Sequence, residues 1–509
     1  MYRQIIVLIL FLLTTISPLS ANVFRYRLYL DGKPDSQPVM LTDRALEHRQ
    51  RLQIETDEAD YEVSSSYLQQ LRDAGLTIVT RSRWLNTVVV MRAEGNEIPT
   101  SVWTELPFVT KVETITMPDV KASLSTSAMQ KEEDIFSYHT ILEDCTTPLR
   151  EVNAYDALYK AGYRGKGKCI AILDGGFLRL NEHKMLMDKV VFAYDMYNPT
   201  QPDSIYARDT HGVQCLSVMA CPESEGVCGT ASEAEYALFC TESSDFECSL
   251  EEDMWLAAAE MADSLGVDII SSSLGYNEFD NNLLSYTIDD IGRGRALVSQ
   301  AALIASQKGI LVVNAAGNEG NKPWQKILFP ADVEEVLAVG AYTPQFVAAN
   351  FTSVGMLTPY VKPNVSARGT NCYTLSPAEN GFEIHLNAQG TSFSTPLIAG
   401  LCASLWSAVP ELTPAEVRQV IEESSSDYLH PTEKTGYGLP DFSVALAKAQ
   451  ELKGYNSIEE INIEAADGGS TASNGENRYV NLFGQPVSAA SQGVIIEQSG
   501  GRKRILSKP

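Results

Sequence analysis

Basic residues are scarce in this chain. Against 65 Asp and Glu stand only 39 Lys and Arg, a formal net charge of -26 over 509 residues. A surface of that sign repels phosphate backbones and anionic headgroups, which argues against nucleic acid as a partner and is read first as a solubility feature. Histidine is scarcer still, at six, and none of the six stands in a His-Glu-x-x-His arrangement, so the zinc-peptidase pattern is missing. After the run Ile5 to Leu13 no stretch approaches the roughly 20 apolar residues of a membrane span, so no transmembrane segment is expected. No cysteine precedes Cys145.

What the chain does contain begins with an address. Arg3, the apolar run Ile5 to Leu13, then Thr14, Thr15, Ser17, Pro18 and the small pair Ser20-Ala21 read as a secretory signal peptide over residues 1–21. The expected location is therefore secreted, extracellular or at the cell surface, and the residue directly after Ala21 is Asn22 rather than a Cys that could carry a lipid anchor. Nine cysteines is an odd number, so at least one thiol stays outside any intrachain bridge. Cys221 with Cys228, and Cys240 with Cys248, are close enough in sequence to bridge locally, whereas Cys169 and Cys402 lie in apolar runs and read as buried thiols.

Four further segments follow. Residues 22–120 read as a small α/β domain, with strand-like Phe24 to Leu30, Thr77 to Val79 and Thr87 to Met91 and a helical pattern over Ser66 to Ala74. Residues 121–145 are polar, with the charged run Lys131 to Asp134, and read as a linker. Over 146–450 short apolar runs (Cys169 to Leu173, Glu235 to Phe239, Val267 to Ser271, Ile310 to Asn314, Val336 to Val339) alternate with helical stretches (His211 to Ala220, Glu252 to Leu265, Val298 to Lys308, Thr395 to Ala408). That alternation predicts an α/β fold, a mostly parallel central sheet with helices on both faces. Residues 451–509 open on Ser, Gly, Asn and Glu and end with strand-like Tyr479 to Phe483 and Gly493 to Glu497 and the basic Arg502-Lys503-Arg504.

Within 146–450 four polar residues stand where a parallel sheet collects reactive groups, at strand ends and helix starts. Asp174 ends an apolar run and is followed by Gly175-Gly176; His211 opens a run of small and apolar residues. Asn318 follows Leu311 to Gly317, and Ser392 precedes Ser394-Thr395-Pro396, with Pro396 suited to a first helical turn. Each alone has a plain structural explanation: a turn carboxylate, a buried imidazole, a left-handed Asn, an N-cap Ser. A Ser at a helix N-terminus can also present its backbone N–H and the helix dipole to an oxyanion.

Together, Ile172-Leu173-Asp174-Gly175-Gly176, Thr210-His211-Gly212, Ala316-Gly317-Asn318-Glu319-Gly320 and Gly390-Thr391-Ser392-Phe393-Ser394-Thr395-Pro396 resemble the subtilisin-like serine peptidases, whose triad runs in the order Asp, His, Ser. The resemblance implies a serine endopeptidase with Asp174, His211 and Ser392 as triad and Asn318 as oxyanion donor. It also implies Ser273, Leu274 and Gly275 as a substrate-binding strand, protein or peptide substrates, and no required cofactor. Calcium commonly stabilises the family, but no ligands can be assigned here from sequence. Phe393-Ser394 departs from the Met-Ala common after the nucleophile, and Cys215 stands one helical turn after His211, as in some subtilases. Residues 22–120, Ser82-Arg83-Trp84-Leu85-Asn86 above all, resemble the propeptides of this family, which inhibit their own enzyme until self-cleavage; 121–145 then becomes the processing region. Tyr479 to Val487 with Gly493 to Ile496 and the basic end resemble the last strands of a Bacteroidetes type IX secretion signal.

Overall fold

The computed structural model describes residues 23–116, residues 156–455 except 223, 225, 226, 244 and 245, and the strand residues 478–481, 493–499 and 502–508. The expected signal peptide and processing region lie outside the described residues. The chain divides into two compact units, 1–446 and 447–509.

In the first unit, β1 (Arg25–Leu30), β2 (Leu76–Ser82), β3 (Thr87–Arg92) and β4 (Val109–Thr116) form an antiparallel sheet in the order β2-β3-β1-β4. Helices α1 (Asp43–Leu52) and α2 (Ser65–Asp73) begin at side-chain caps from Thr42 and Ser64. The alternation along β1 sorts its residues between two faces. Tyr26, Leu28 and Leu30 join a core with Leu68, Leu71, Val88 and Val90, whereas Arg25 and Arg27 turn the other way and are still buried. Arg27 makes a two-pronged pair with Asp253, at 2.9 and 2.6 Å.

Seven strands follow: β5 (Cys169–Asp174), β6 (Val190–Asp195), β7 (Glu235–Cys240), β8 (Ile269–Ser272), β9 (Leu311–Ala315), β10 (Leu337–Tyr342) and β11 (Val365–Arg368). They form one sheet in the order β11-β10-β9-β8-β5-β7-β6, parallel at every pairing. The helices that matter for the site are α3 (His211–Ala220), α4 (Leu250–Leu265), α5 (Leu297–Gln307) and α6 (Thr391–Ala408). Cys169, Ala171 and Leu173 pack with α4 and α5 on one face. Residues of opposite parity, Ile170 and Ile172, are equally buried, and α3 and α6 cover that other face. Both faces are thus sealed, which is why the strands read as unbroken apolar runs. After β7 the chain crosses β5 to enter β8, so strand order reverses around β5, where such sheets open a crevice.

Several elements depart from the sequence reading. Helix α6 begins at Thr391 rather than near Thr395, so Pro396 lies inside it and not in its first turn. β6 is an edge strand with a half-exposed pattern, and the antiparallel hairpin β12 (Cys372–Ala378) with β13 (Gly381–Ala388) is a surface excursion before α6. Both lack the apolar continuity of the inner strands. Cys240 and Cys248 are buried thiols, not a bridge; the Cys240 Sγ donates to Gly175 O at 3.2 Å. Cys169 and Cys402 are buried thiols as expected. In the second unit β14 (Arg478–Asn481), β15 (Gly493–Ser499) and β16 (Arg502–Lys508) form an antiparallel sheet.

Helix α6 approaches the segment after α3 closely at Gly400, where a Cβ would lie 2.0 Å from Thr230 Oγ1 and 3.1 Å from its Cβ. Gly400→Ala is therefore expected to destabilise the fold by about 1–3 kcal/mol through overpacking, read as a lower midpoint in urea at unchanged slope.

Candidate active site

Asp174 ends β5 and is fully buried; the Gly175 N–H donates to its Oδ1 at 2.8 Å. The first residue of α3, His211, points back at it, with Nδ1 2.8 Å from Oδ1 and 3.0 Å from Oδ2. The helix can come this near because Gly212 has no side chain: a Cβ there would lie 2.4 Å from Gly176 O. Asp209 caps the turn, accepting the His211 N–H at 2.9 Å. Burial opposes a charge on the imidazole, but the Asp174 carboxylate, together with Cys215 and the hydrogen bonds to both, outweighs it and holds the His211 pKa well above the ordinary value.

Ser392 is the second residue of α6. In a helix the residue four places on would donate its N–H to the Ser392 carbonyl, but that residue is Pro396 and has none. The carbonyl instead accepts the Ser273 hydroxyl at 2.8 Å and the Cys215 thiol at 3.5 Å. Cys215 also lies 3.8 Å from His211 Nδ1 and 3.9 Å from Nε2, and burial raises its thiol pKa. This one carbonyl thus joins α6 to the end of β8 and to α3. The Ser392 hydroxyl rests on Ser273 O at 3.4 Å. Bonds between nucleophile and base commonly tighten only when substrate arrives. The Phe393 ring packs 5.8 Å from the imidazole, and Ser394 donates to Ala367 O, so the departure from Met-Ala serves packing.

Asn318 follows β9. Its Oδ1 accepts both the Thr391 N–H, at 2.9 Å, and the Thr391 hydroxyl, at 3.0 Å, which fixes the amide so that its Nδ2 donors face away. They face a space left by Gly390, whose φ is +145°. A Cβ on Gly390 would lie 3.5 Å from Asn318 Nδ2, 3.6 Å from Ser392 N and 3.6 Å from Ser392 Oγ. Two donors and a hydroxyl oxygen therefore surround one small opening.

Ser273, Leu274 and Gly275 run on from β8. Ser273 contacts Ser392 through both its carbonyl and its hydroxyl, and the Leu274 carbonyl accepts from Asn314 Nδ2 at 3.0 Å. Tyr276 is anchored by a backbone pair with Phe329, and its hydroxyl donates to Glu242 at 2.5 Å. The structure pairs Asp174 with His211, Ser392 with Ser273 and Asn318 with Thr391; Cys215 links Ser392 to His211, and among the described residues the Ser392 hydroxyl bonds Ser273 O and not the imidazole. Thr391 was not singled out in the sequence; its only signal is adjacency to the Ser. The hydroxyl of Ser273 was not foreseen as a partner of Ser392, although its need follows from Pro396. Burial and the Glu247 carboxylate raise the Glu242 carboxyl well above its usual range, and burial with Asp280 pushes Glu247 up to about 7.

Comparison with known proteins is consistent across sequence and fold. Residues 165–438 match the Subtilase family (Peptidase S8), and residues 25–133 match the Peptidase S8 propeptide domain of Bacteroidota. Subtilisin NAT of Bacillus subtilis subsp. natto is 29% identical over 290 residues, covering 57% of this chain and 68% of that protein. Subtilisin of Bacillus pumilus is 28% identical over 290 residues, covering 57% and 94%. Among solved structures, fervidolysin from Fervidobacterium pennivorans, a keratinolytic enzyme related to subtilisin, superposes with a TM-score of 0.57 at 15% identity, covering 96% of this chain and 69% of that one. The epidermin leader peptide processing serine protease of Staphylococcus aureus gives 0.56 at 16% identity, covering 84% and 99%.

A base must be neutral to accept a proton, and a raised His211 pKa moves that requirement upward. The acid limb of kcat/KM is expected to fall with an apparent pKa above the usual value of about 6.5. Asp174→Asn should move the limb to lower pH while reducing kcat by about 10⁴; steady-state kinetics across pH on both proteins measure this.

Proposed function

Because the chain belongs to the subtilase family and is a subtilisin-like serine endopeptidase made with a propeptide, we propose that Asp174, His211 and Ser392 are its triad and that it is a secreted zymogen that processes itself. The observation that carries this reading is the opening at Gly390, ringed by Asn318 Nδ2, Ser392 N and Ser392 Oγ beside the His211–Asp174 pair.

The Ser392 Oγ attacks a peptide carbonyl and passes its proton to His211 Nε2. Asp174, on Nδ1, keeps the proton on that nitrogen and stabilises the imidazolium that forms. The carbonyl oxygen becomes an oxyanion in the Gly390 opening, where the Asn318 amide and the Ser392 N–H donate to it. His211 then gives the proton to the departing amine, and water, activated by the same imidazole, releases the acyl group. Ser273 to Gly275 lie beside Ser392 as the strand on which a substrate main chain would align. Protein and peptide substrates follow from this chemistry, and no step calls for a cofactor.

The zymogen reading draws on the docking of residues 23–116 against α4. Ser82, Arg83 and Trp84 close round Glu260: the Ser82 hydroxyl and the Trp84 and Arg83 N–H groups all donate to its carboxylate. Arg83 and Arg49 share Asp263, at 2.7 and 2.8 Å. Lys308, at the end of α5, reaches Asp57 and Asp60. Buried pairs of this kind fix orientation more than they add net stability, as suits an inhibitor held in one pose until cleavage. We assign residues 1–21 to export, 22–120 to the propeptide, cleavage to 121–145, the catalytic domain to 146–450, and the strands within 451–509 to a sorting tail of the type IX kind. The protein then acts outside the cell or at its surface.

Ser392→Ala is expected to leave the chain full-length and to abolish both peptide hydrolysis and labelling by a fluorophosphonate; persistent labelling would contradict the assignment. Asn318→Ala should lower kcat about 10²–10³-fold with KM nearly unchanged, and a change confined to KM would contradict the oxyanion role.

A further inference from the structure

Beyond β7 a second group of oxygen donors lies outside the triad. Glu242, Glu247 and Glu251 each offer a carboxylate oxygen, and the three lie within 4.8 Å of one another. Among the described residues no Lys, Arg or His is ion-paired with any of them. The cluster is held in place by its surroundings. Both Glu251 oxygens accept backbone N–H groups, from Ser243 and Cys248, each at 2.9 Å. Glu242 accepts the Tyr276 hydroxyl at 2.5 Å and the Thr241 hydroxyl at 3.2 Å. Three carboxylates held together without a counter-charge repel one another, and they relieve that repulsion either by taking up protons or by sharing a cation.

A separate observation points the same way. Tyr197 is 5% exposed, and among the described residues its hydroxyl has no hydrogen-bond partner. It packs against the stretch that carries Glu247, with the Phe246 ring 6.2 Å away and Cys248, Leu250 and Met254 around it. Beyond burial itself, the charges that bear most on its hydroxyl are those of Glu251 and Glu242. A buried phenol left without a partner is costly, and here it lies within the field of two carboxylates, Glu251 and Glu242, to which it is not bonded. A ligand among these oxygens would satisfy it.

We propose that Glu242, Glu247, Glu251 and the Tyr197 hydroxyl form a calcium-binding site. The donors are all oxygen, with no nitrogen or sulfur, which selects a hard cation. Oxygens bound to one calcium at about 2.3–2.6 Å can stand no more than about 5 Å apart, which this cluster already satisfies. Magnesium, at about 2.0–2.1 Å, demands near-ideal octahedral geometry and keeps most of its water, which suits a three-carboxylate cluster less well. Water completes the coordination on the side where Glu247 is exposed. Such an ion would tie the segment after β7 to the start of α4 and, through Glu242 and Tyr276, to the end of the 273–275 strand. It would also brace Thr241, whose N–H donates to the Asp174 carbonyl at 3.0 Å. The site stands independently of the triad assignment.

The test uses the full-length chain carrying Ser392→Ala, stripped of divalent ions by chelation and titrated with terbium(III), a calcium surrogate whose emission tyrosines sensitise. Tyr197 and Tyr276 should give a saturable emission that calcium displaces, and calcium alone should raise Tm. Glu247→Gln, whose side chain makes no hydrogen bond among the described residues, should weaken terbium binding at least tenfold. Tyr197→Phe should lower both emission and affinity, and it decides the matter if Glu247→Gln fails to fold. Equal terbium affinity in all variants, or no response to terbium or calcium, would overturn the proposal. So would a Tm rise given by a lysine-rich peptide and lost in Glu247→Gln, with none from calcium, because the pocket would then hold a basic side chain.

Discussion

A missing amide hydrogen organises this site. Pro396, inside α6, cannot bond the Ser392 carbonyl, and that carbonyl therefore binds outward, to Ser273 and Cys215. Ser273 continues from the end of β8, and Cys215 sits one turn into the helix that starts at His211. The proposed nucleophile is thus fixed against the proposed substrate strand and the proposed base by a group that an ordinary helix would have used internally. The proposed oxyanion side is fixed by the neighbouring residue, since Thr391 holds the Asn318 carbonyl oxygen with both its N–H and its hydroxyl. One helix start, with Gly390 before it and Pro396 after it, sets the positions of all the groups around the opening.

The acid excess of the chain has a second use besides solubility. Helix α4 carries Glu251, Glu252, Asp253, Glu260 and Asp263, all buried. Its first-turn carboxylates suit the positive end of a helix dipole. Asp253, Glu260 and Asp263 meet Arg27, Arg83 and Arg49 of the N-terminal sheet. Glu251 instead turns to the cluster proposed to bind calcium, and Glu252 receives Tyr286 and Ser249. One helix therefore serves as docking surface on one side and as the wall of a polar cluster on another.

The inner sheet was legible because buried parallel strands are continuous apolar runs, and β5, β7, β8, β9 and β10 all lie where such runs predict them. β6 and the β12–β13 hairpin were not, because half-exposed strands lack that continuity. α1 was missed for a similar reason: its sequence DRALEHRQRL is mostly polar, and it is held by Arg49 and His48 reaching buried partners rather than by an apolar stripe. The four polar residues of the site were visible as a constellation because they stand near strand ends and helix starts and because their motifs, in that order, resemble those of the subtilases. Thr391, the Ser273 hydroxyl and the Glu242 cluster could not be found that way, because each acts through a contact between segments far apart in sequence. Cys240 and Cys248, close enough in sequence to bridge, are separate buried thiols, because nearness in sequence says nothing about where each sulfur points.

The central claim is that Asn318 Nδ2 and the Ser392 N–H converge on the oxyanion of a group bound to Ser392. A crystal structure of the fluorophosphonate adduct tests it directly. The account predicts the phosphorus bonded to Ser392 Oγ and one phosphoryl oxygen in the Gly390 opening, within about 2.7–3.1 Å of both donors. A phosphoryl oxygen turned away from Asn318, or an adduct on another residue, would contradict it.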